Sequence, residues 1–166
     1  MLLNVHIKNI ALIEDANINF TDGLNILTGE TGAGKSIIIG SVNMALGGKT
    51  SRDMIRQGAD YAYVELVFSV DDPVKRKRLE ELDLDLPEDG TIIISKKIMP
   101  TRSLSKINDE TVTTGRLKEI TSLLIDIHGQ HEHQSLLYKS KHLQILDAYA
   151  RSQTQPLKEK ISVNYH

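Results

Sequence analysis

Apolar and polar residues alternate at the start of the chain, with Leu3, Val5 and Ile7 on one side and Asn4, His6 and Lys8 on the other. This period of two predicts a half-buried strand. A second alternating run over residues 16–20 places Ile18 and Phe20 on one face, and Thr21-Asp22-Gly23 then predicts a turn. Residues 24–28 (Leu-Asn-Ile-Leu-Thr) read as a short buried strand running straight into a glycine-rich stretch. Over residues 35–46 the pattern becomes helical, apolar all round and without proline. Gly47-Gly48 ends that helix, because glycine accepts the left-handed conformation of a C-cap.

Further along, residues 61–70 (YAYVELVFSV) predict another strand. Asp71-Asp72-Pro73 supplies an N-cap and a first-turn proline for a charged helix reaching about Leu82. Residues 84–90 form an acidic connector, and the β-branched run 91–98 predicts a strand. Residues 103–113 predict a hairpin turning near Asn108-Asp109. A short helix over 114–122 then leads to an expected apolar strand at 123–127 and a polar loop at 128–134. From about Ser140 the chain is helix-compatible, except around Gln155-Pro156. Alternating strands and helices without an internal repeat predict an α/β fold, with a mixed sheet leaning on the helix that begins at Lys35.

Composition narrows this. At 166 residues the chain has the size of one domain, and 40% hydrophobic residues suffice for a core. Two Phe, five Tyr and no Trp mean that Ile, Leu and Val must fill it. A net charge of −2 gives no global basic field for nucleic acid or membrane, although a local patch stays compatible. Without cysteine, disulfides and thiolate metal sites are excluded. No apolar run approaches the ~18 residues of a membrane span. The first six residues lack the basic start and apolar stretch of a signal peptide, so a cytoplasmic address without membrane contact is expected.

The candidate chemistry lies in Gly29-Glu30-Thr31-Gly32-Ala33-Gly34-Lys35-Ser36. It fits the P-loop pattern completely, between an expected strand and an expected helix. Glycines let the backbone turn so tightly that successive N–H groups converge on phosphate oxygens. The helix adds its positive N-terminal end. Lys35 is expected to neutralise the β and γ phosphates, and Ser36 to ligate Mg²⁺. The expected ligand is therefore a nucleoside triphosphate, ATP before GTP, with Mg²⁺.

The surroundings are more specific than the loop. Ile7-Lys8-Asn9-Ile10-Ala11-Leu12-Ile13-Glu14 and Gly23-Leu24-Asn25-Ile26-Leu27-Thr28 resemble the start of an SMC-like ATPase head. Ala45-Leu46-Gly47-Gly48, then Ile55-Arg56-Gln57-Gly58-Ala59-Asp60 and Val64-Glu65, continue the likeness. The sharpest pointer is Leu124-Ile125-Asp126-Ile127-His128-Gly129-Gln130-His131-Glu132-His133-Gln134-Ser135-Leu136-Leu137, which resembles the bacterial RecN family of SMC-like DNA double-strand break repair proteins. The resemblance covers roughly residues 1–150. It implies the N-terminal lobe of an ABC-type head over residues 1–138, with 139–166 a helical segment leading towards a coiled coil. It implies ATP and Mg²⁺ held between two heads, a partnership with the remaining C-terminal part of the head, DNA engaged through the full-length protein, and a nucleoid-associated setting. Gln130 matches the Q-loop glutamine, which contacts Mg²⁺ and the attacking water, making it the expected catalytic residue and a second metal ligand beside Ser36. Gln134 is the weaker match. Lys49 and Arg52 fall where the family has basic residues after the first helix.

Departures from the family pattern set limits on activity. A Leu-Ser-Gly-Gly signature, a Walker B acidic pair and a switch histidine do not occur in these residues, so ATP binding with little or no turnover is expected. Asp126 superficially resembles a Walker B acid but has no second acid beside it. With Asp126 supporting Mg²⁺, a self-contained small kinase or GTPase is the alternative, although no Asn-Lys-x-Asp run or arginine-rich lid is present. A non-enzymatic assembly fragment is the other. His128, His131, His133 and Glu132 could converge on zinc, but the family likeness accounts for that segment. Lys75-Arg76-Lys77-Arg78, beside Glu80-Glu81, reads as a solvated face before a DNA contact, as does the second basic set of Lys96, Lys97, Arg102 and Lys106. Leu143, Ile145, Leu146, Leu157 and Ile161 are compatible with the start of a coiled-coil seam.

Overall fold

The computed structural model describes residues 1–29, 34–127, 146, 149 and 150. Met1–Asp126 form one unit and Ile127–His166 another. In the second unit Leu146 and Tyr149 are helical and exposed.

The first unit is built on a six-stranded sheet in the order β2-β1-β3-β4-β5-β6. Its strands are β1 (Leu2–Ile10), β2 (Ile13–Asn19), β3 (Ala62–Ser69), β4 (Thr91–Ile98), β5 (Ser103–Ile107) and β6 (Glu110–Val112). Helices α1 (Lys35–Ala45), α2 (Pro73–Glu80) and α3 (Thr114–Leu124) complete it. Alternation along the strands decides which face is buried. Val5 and Ile7 of β1, Ala62, Val64, Leu66 and Phe68 of β3, and Ile92, Ile94 and Ile98 of β4 are buried on one face. The register sets Ile7 opposite Val64, and Leu66 opposite Ile94. Val42, Met44 and Ala45 of α1, Leu79 of α2, and Leu117 and Ile120 of α3 are buried too. Each such Val, Leu, Ile, Met or Phe side chain is worth roughly 1.5–3 kcal/mol, so this apolar layer dominates stability.

Local chemistry ends the elements where the sequence predicts. Asp72 caps α2 by accepting from the Val74 N–H at 2.8 Å, with Pro73 in the first turn. At the other end of α1, Gly47 has φ +98°, its N–H donates to the Met44 carbonyl and Gly48 N–H to the Asn43 carbonyl. That pairing is a Schellman motif. The β5–β6 hairpin turns on Asn108 and Asp109, at φ +45° and +67°. Asn108 also staples the hairpin to β4: its Oδ1 accepts from Ile93 N–H at 2.9 Å, and its own N–H donates to the Ile93 carbonyl at 2.9 Å.

Two expectations change. Every strand pairing among the described residues is antiparallel, and this part of the α/β sheet packs on α1 through β1, β3 and β4. Residues 24–28 join no strand here; Leu24 is 87% and Ile26 72% exposed, where a buried strand was expected. A strand needs a neighbour for its backbone groups, and no described strand lies beside this segment. Likewise the expected strand at 123–127 is absent, because α3 runs on to Leu124 and residues 125–127 are coil.

The opposite sheet face is polar. Tyr63 donates to Glu65 at 2.6 Å, and His6 lies 3.0 Å from Asp15. Burial pushes the Tyr63 phenol up to about 12, helped by its hydrogen bond to Glu65 and by that carboxylate's charge. A phenol raised in the folded state stabilises fully below its unfolded value near 10, and that contribution is lost as pH rises through about 12. Ultraviolet titration should therefore show one tyrosine ionising last, and Tyr63→Phe should remove that step and flatten the loss of stability across the window. An unchanged titration in Tyr63→Phe would assign the effect elsewhere.

The Asn108 staple also yields a stability test. Asn108→Ala should cost about 2 kcal/mol in urea denaturation, through the lost hydrogen bonds and a left-handed backbone. Asn108→Gly should cost less, since it relieves the backbone and loses the side-chain bonds alone; equal costs would remove backbone conformation from the account.

Candidate phosphate-binding site

The apolar face of the sheet fixes α1, whose start carries Gly34, Lys35 and Ser36. Its N-terminal turn starts at Gly34, whose carbonyl accepts from Ile38 N–H at 2.9 Å. A helix start leaves its first N–H groups without intrahelical acceptors. Here no side chain caps them and no acidic residue lies in the first turn. The end is therefore both positive and unfilled by the described protein groups, which suits an anion. The Lys35 ammonium donates to the Gly29 carbonyl, linking the helix start to the first glycine of the run. A Cβ added at Gly29 or Gly34 would meet nothing within 4 Å, so this surface is open.

Of the sequence-predicted residues, Gly29, Gly34, Lys35 and Ser36 come together at this helix end. Glu30, Thr31, Gly32 and Ala33 lie outside the described residues, as do Gln130, Gln134 and the histidines at 128, 131 and 133. Ser36 is exposed and its hydroxyl makes no hydrogen bond among the described residues. No group of three His, Asp or Glu side chains suited to a metal occurs among the described residues. Mg²⁺ at this loop would accordingly rest on the Ser36 hydroxyl, phosphate oxygens and water, which is how this hard cation is commonly held. The residues present fit ATP phosphates and Mg²⁺ in that sense. Asp126 follows α3 outside any strand, which removes the strand context of a Walker B acid.

Two features were not read from the sequence. Apolar side chains flank the loop in the open: Leu24, Ile26, Leu27 at 40% exposed and Ile39 of α1 at 51%. Residues 51–58 clasp the β1–β2 turn as well. Ala11 N–H donates to the Met54 carbonyl at 2.8 Å, Arg56 N–H to the Asn9 carbonyl, and Arg56 Nη1 to the Leu12 carbonyl, both at 3.0 Å. The exposed Arg56–Glu14 pair at 3.6 Å adds little. These bonds hold Asn9 and Ala11 at φ +55° and +48°. The sequence signal was faint, since asparagine tolerates that backbone but alanine does not advertise it.

A glycine loop opening onto the bare N-terminus of an apolar helix, with that helix laid on a sheet, defines a P-loop NTPase lobe of the SMC-head kind. Residues 4–164 match the family model described as an AAA domain, and the chain belongs to that family. It is similar to DNA repair protein RecN of Halalkalibacterium halodurans, 43% identical over 153 residues, covering 90% of this chain and 27% of that protein. RecN of Bacillus subtilis is 39% identical over 158 residues, covering 93% and 27%. The chain thus spans about a quarter of the length of these relatives. Among solved structures, one from work on ATP-driven dimerization and DNA-stimulated activation of SMC ATPases superposes with TM-score 0.62 at 20% identity, covering 98% of this chain and 97% of that chain. The Smc head domain of Pyrococcus furiosus, bound to the C-terminal domain of ScpA, gives 0.59 at 22% identity, covering 74% and 32%. At these identities the structures bear on fold.

The exposed segment sets a test. Leu24→Ser with Ile26→Ser should change unfolding stability by less than about 0.5 kcal/mol, since both side chains are already in water. The same change should reduce concentration-dependent association in sedimentation velocity. A loss of several kcal/mol would mean that the segment is packed in solution.

Proposed function

We propose that this chain is the N-terminal, ATP-binding part of a RecN-like head acting in recombinational repair of DNA double-strand breaks. The observation carrying it is the uncapped start of α1, with the Lys35 ammonium bonded to the Gly29 carbonyl. Residues 29–36 cradle the triphosphate, Lys35 neutralises its outer phosphates, and Ser36 supplies a ligand for Mg²⁺. Gln130 is assigned to the metal and the attacking water. Residues 1–138 belong to the head and 139–166 lead towards a coiled coil. Turnover depends on signature and Walker B elements from the remainder of the head and from a second head, and DNA is engaged by the full-length protein in the bacterial cytoplasm, at the nucleoid. No described helix is long and apolar enough to cross a membrane.

The exposed Leu24, Ile26 and Ile39 favour a partnership with further head segments, since an open apolar strip beside a phosphate loop is a surface built to be covered. A self-contained kinase or GTPase draws less support, because Asp126 sits in coil.

Calorimetric titration of Mg·ATP and Mg·GTP into the chain tests the proposal. ATP should bind in preference to GTP, with binding abolished by Lys35→Ala, weakened about tenfold by Gln130→Ala, and accompanied by little hydrolysis; losing a charge-assisted contact is worth about that factor. Robust ATPase activity that Lys35→Ala abolishes would overturn the claim of an incomplete site. Absence of nucleotide binding would leave the chain as an assembly fragment.

A further inference from the structure

β2 is an edge of the sheet, and among the described residues its one strand neighbour is β1. The direction of its main-chain groups follows from two bonds at strand ends. Phe20 N–H donates to the Leu3 carbonyl at 2.8 Å, a pair that continues the β1–β2 register. Bonded and non-bonded pairs alternate along an antiparallel ladder. Ala16 and Ile18 therefore bond to β1, while Asp15, Asn17 and Asn19 direct their main-chain N–H and C=O groups outward. Val70 N–H, which donates to the Gly90 carbonyl at 3.0 Å, gives the same phase when followed through β3 and β1. Asp15, Asn17 and Asn19 are all exposed, so this edge is open to solvent.

Proteins protect such edges with lysine, proline or a bulge. β2 has neither lysine nor proline, and its pairing runs from Asn4–Asn19 to Lys8–Asp15 without a shift. Its two charges, Glu14 and Asp15, stand together near one end. Asn4 Nδ2 donates to Oδ1 of Asn17 at 2.5 Å and to Oδ1 of Asn19 at 2.7 Å. Both amides are thereby held by their oxygens, and their NH₂ groups donate to no described residue. Asp15 is held in the same way, with Oδ1 3.0 Å from His6 Nε2.

We propose that β2 pairs with β2 of a second copy of this chain, antiparallel about a two-fold axis at Asn17, so that two sheets join into one. Such an interface is isologous, and its register must suit itself. With the axis at Asn17, that residue lies opposite the partner's Asn17, and Asp15 opposite the partner's Asn19. The Asn19 NH₂ then meets the partner's Asp15 carboxylate, and on the other face Ala16 meets the partner's Ile18. Every residue from Asp15 to Asn19 thus faces one of its own kind, polar to polar and apolar to apolar. Charge selects this arrangement over its rivals. Parallel pairing sets Glu14 and Asp15 beside their own copies, and an axis at Asp15 opposes two carboxylates. An axis at Ala16 sets Ile18 against the partner's Glu14. An edge of 7 residues buries less than the roughly 1,600 Å² of a standard interface, so the dimer is a transient one. This inference stands independently of nucleotide binding at Lys35.

The test uses the chain carrying Leu24→Ser and Ile26→Ser, without nucleotide, so that the apolar strip and the glycine run add no association. Sedimentation equilibrium from about 10 μM to about 1 mM should show monomer passing into dimer. Asn17→Lys, an exposed change, opposes two ammonium groups across the axis and should weaken the dimer about tenfold or more. Asn17→Asp should do the same with two carboxylates. An equimolar mixture of these two variants should recover the dimer as a heterodimer. Amide hydrogen exchange needs no substitution: the N–H groups of Asp15, Asn17 and Asn19 should slow as concentration rises, while those of Ala16 and Ile18 stay constant. Should either variant fail to fold, the exchange readout decides alone. A parent chain that stays monomeric overturns the proposal and leaves the edge to a strand of another protein. The proposal fails equally if both charge variants associate as their parent does, if their mixture gains nothing, or if the Asn17 N–H is not slowed.

Discussion

The structure depends on one contact, the aliphatic face of β1, β3 and β4 against α1. Val5, Ile7, Val64, Leu66 and Ile94 on the sheet, and Val42, Met44 and Ala45 on the helix, are all nearly inaccessible. With few aromatic residues, the layer is made of branched aliphatic side chains that pack in well-defined rotamers. Because the buried residues of α1 lie in its second half, that half is locked and the first turn is free. The geometry is therefore directional: one helix end is anchored in the core while the other leaves its first N–H groups without a side-chain cap and holds Lys35 against the Gly29 carbonyl. Phosphate binding needs donors fixed before the ligand arrives, and a helix clamped at its far end supplies that.

The same helix shows why part of the site was legible in the sequence and part was not. The Gly47-Gly48 stop is a local signal that falls where the structure has it, and Gly34, Lys35 and Ser36 stand at the start of the helix that the pattern predicts. β1, β3 and β4 were equally legible, because one face of each is dry and the other wet, and period-two patterning records that difference. Residues 24–28 misled for a physical reason. Their composition is that of a strand covered on both sides, and composition reports the environment a segment suits rather than the neighbours present. The run at 123–127 is ambiguous in the same way: Leu123 and Leu124 complete the α3 helix, and short apolar runs do not distinguish helix from strand. Neither the Arg56 clasp nor the placement of Lys96 could be read, since both depend on which residues oppose each other across separate elements.

Polar residues at the edges of this unit do as much to specify it as its core does. Asn108 replaces a missing ladder connection with side-chain and main-chain bonds to Ile93. Arg76 of α2 reaches the carbonyls of Pro87 and Glu88, drawing the acidic connector against the helix. The connector must then enter β4 through Gly90, at φ +70°, where a Cβ would lie 2.6 Å from the Val70 carbonyl. A side chain there would collide with backbone, which has nowhere to move, so the entry to β4 is fixed by glycine while its register is fixed by the apolar row.

That register is also what makes Lys96 informative. A slip of one residue would turn Lys96 to the polar face and Lys97 into the core, exchanging one buried lysine for another while exposing Ile92, Ile94 and Ile98. Because one lysine replaces another, the slip relieves no charge, and Ile93 alone would turn inward for three isoleucines lost, each worth roughly 1.5–3 kcal/mol. Lys96 is therefore held inside by its neighbours, whatever its own preference. Lys97, its sequence neighbour, goes outward and sits 4.2 Å over the Tyr61 ring, where its charge is both solvated and attracted by the π face. Of two adjacent lysines, then, one runs along the buried face and the other lies over an aromatic ring, and the difference comes from the strand's alternation.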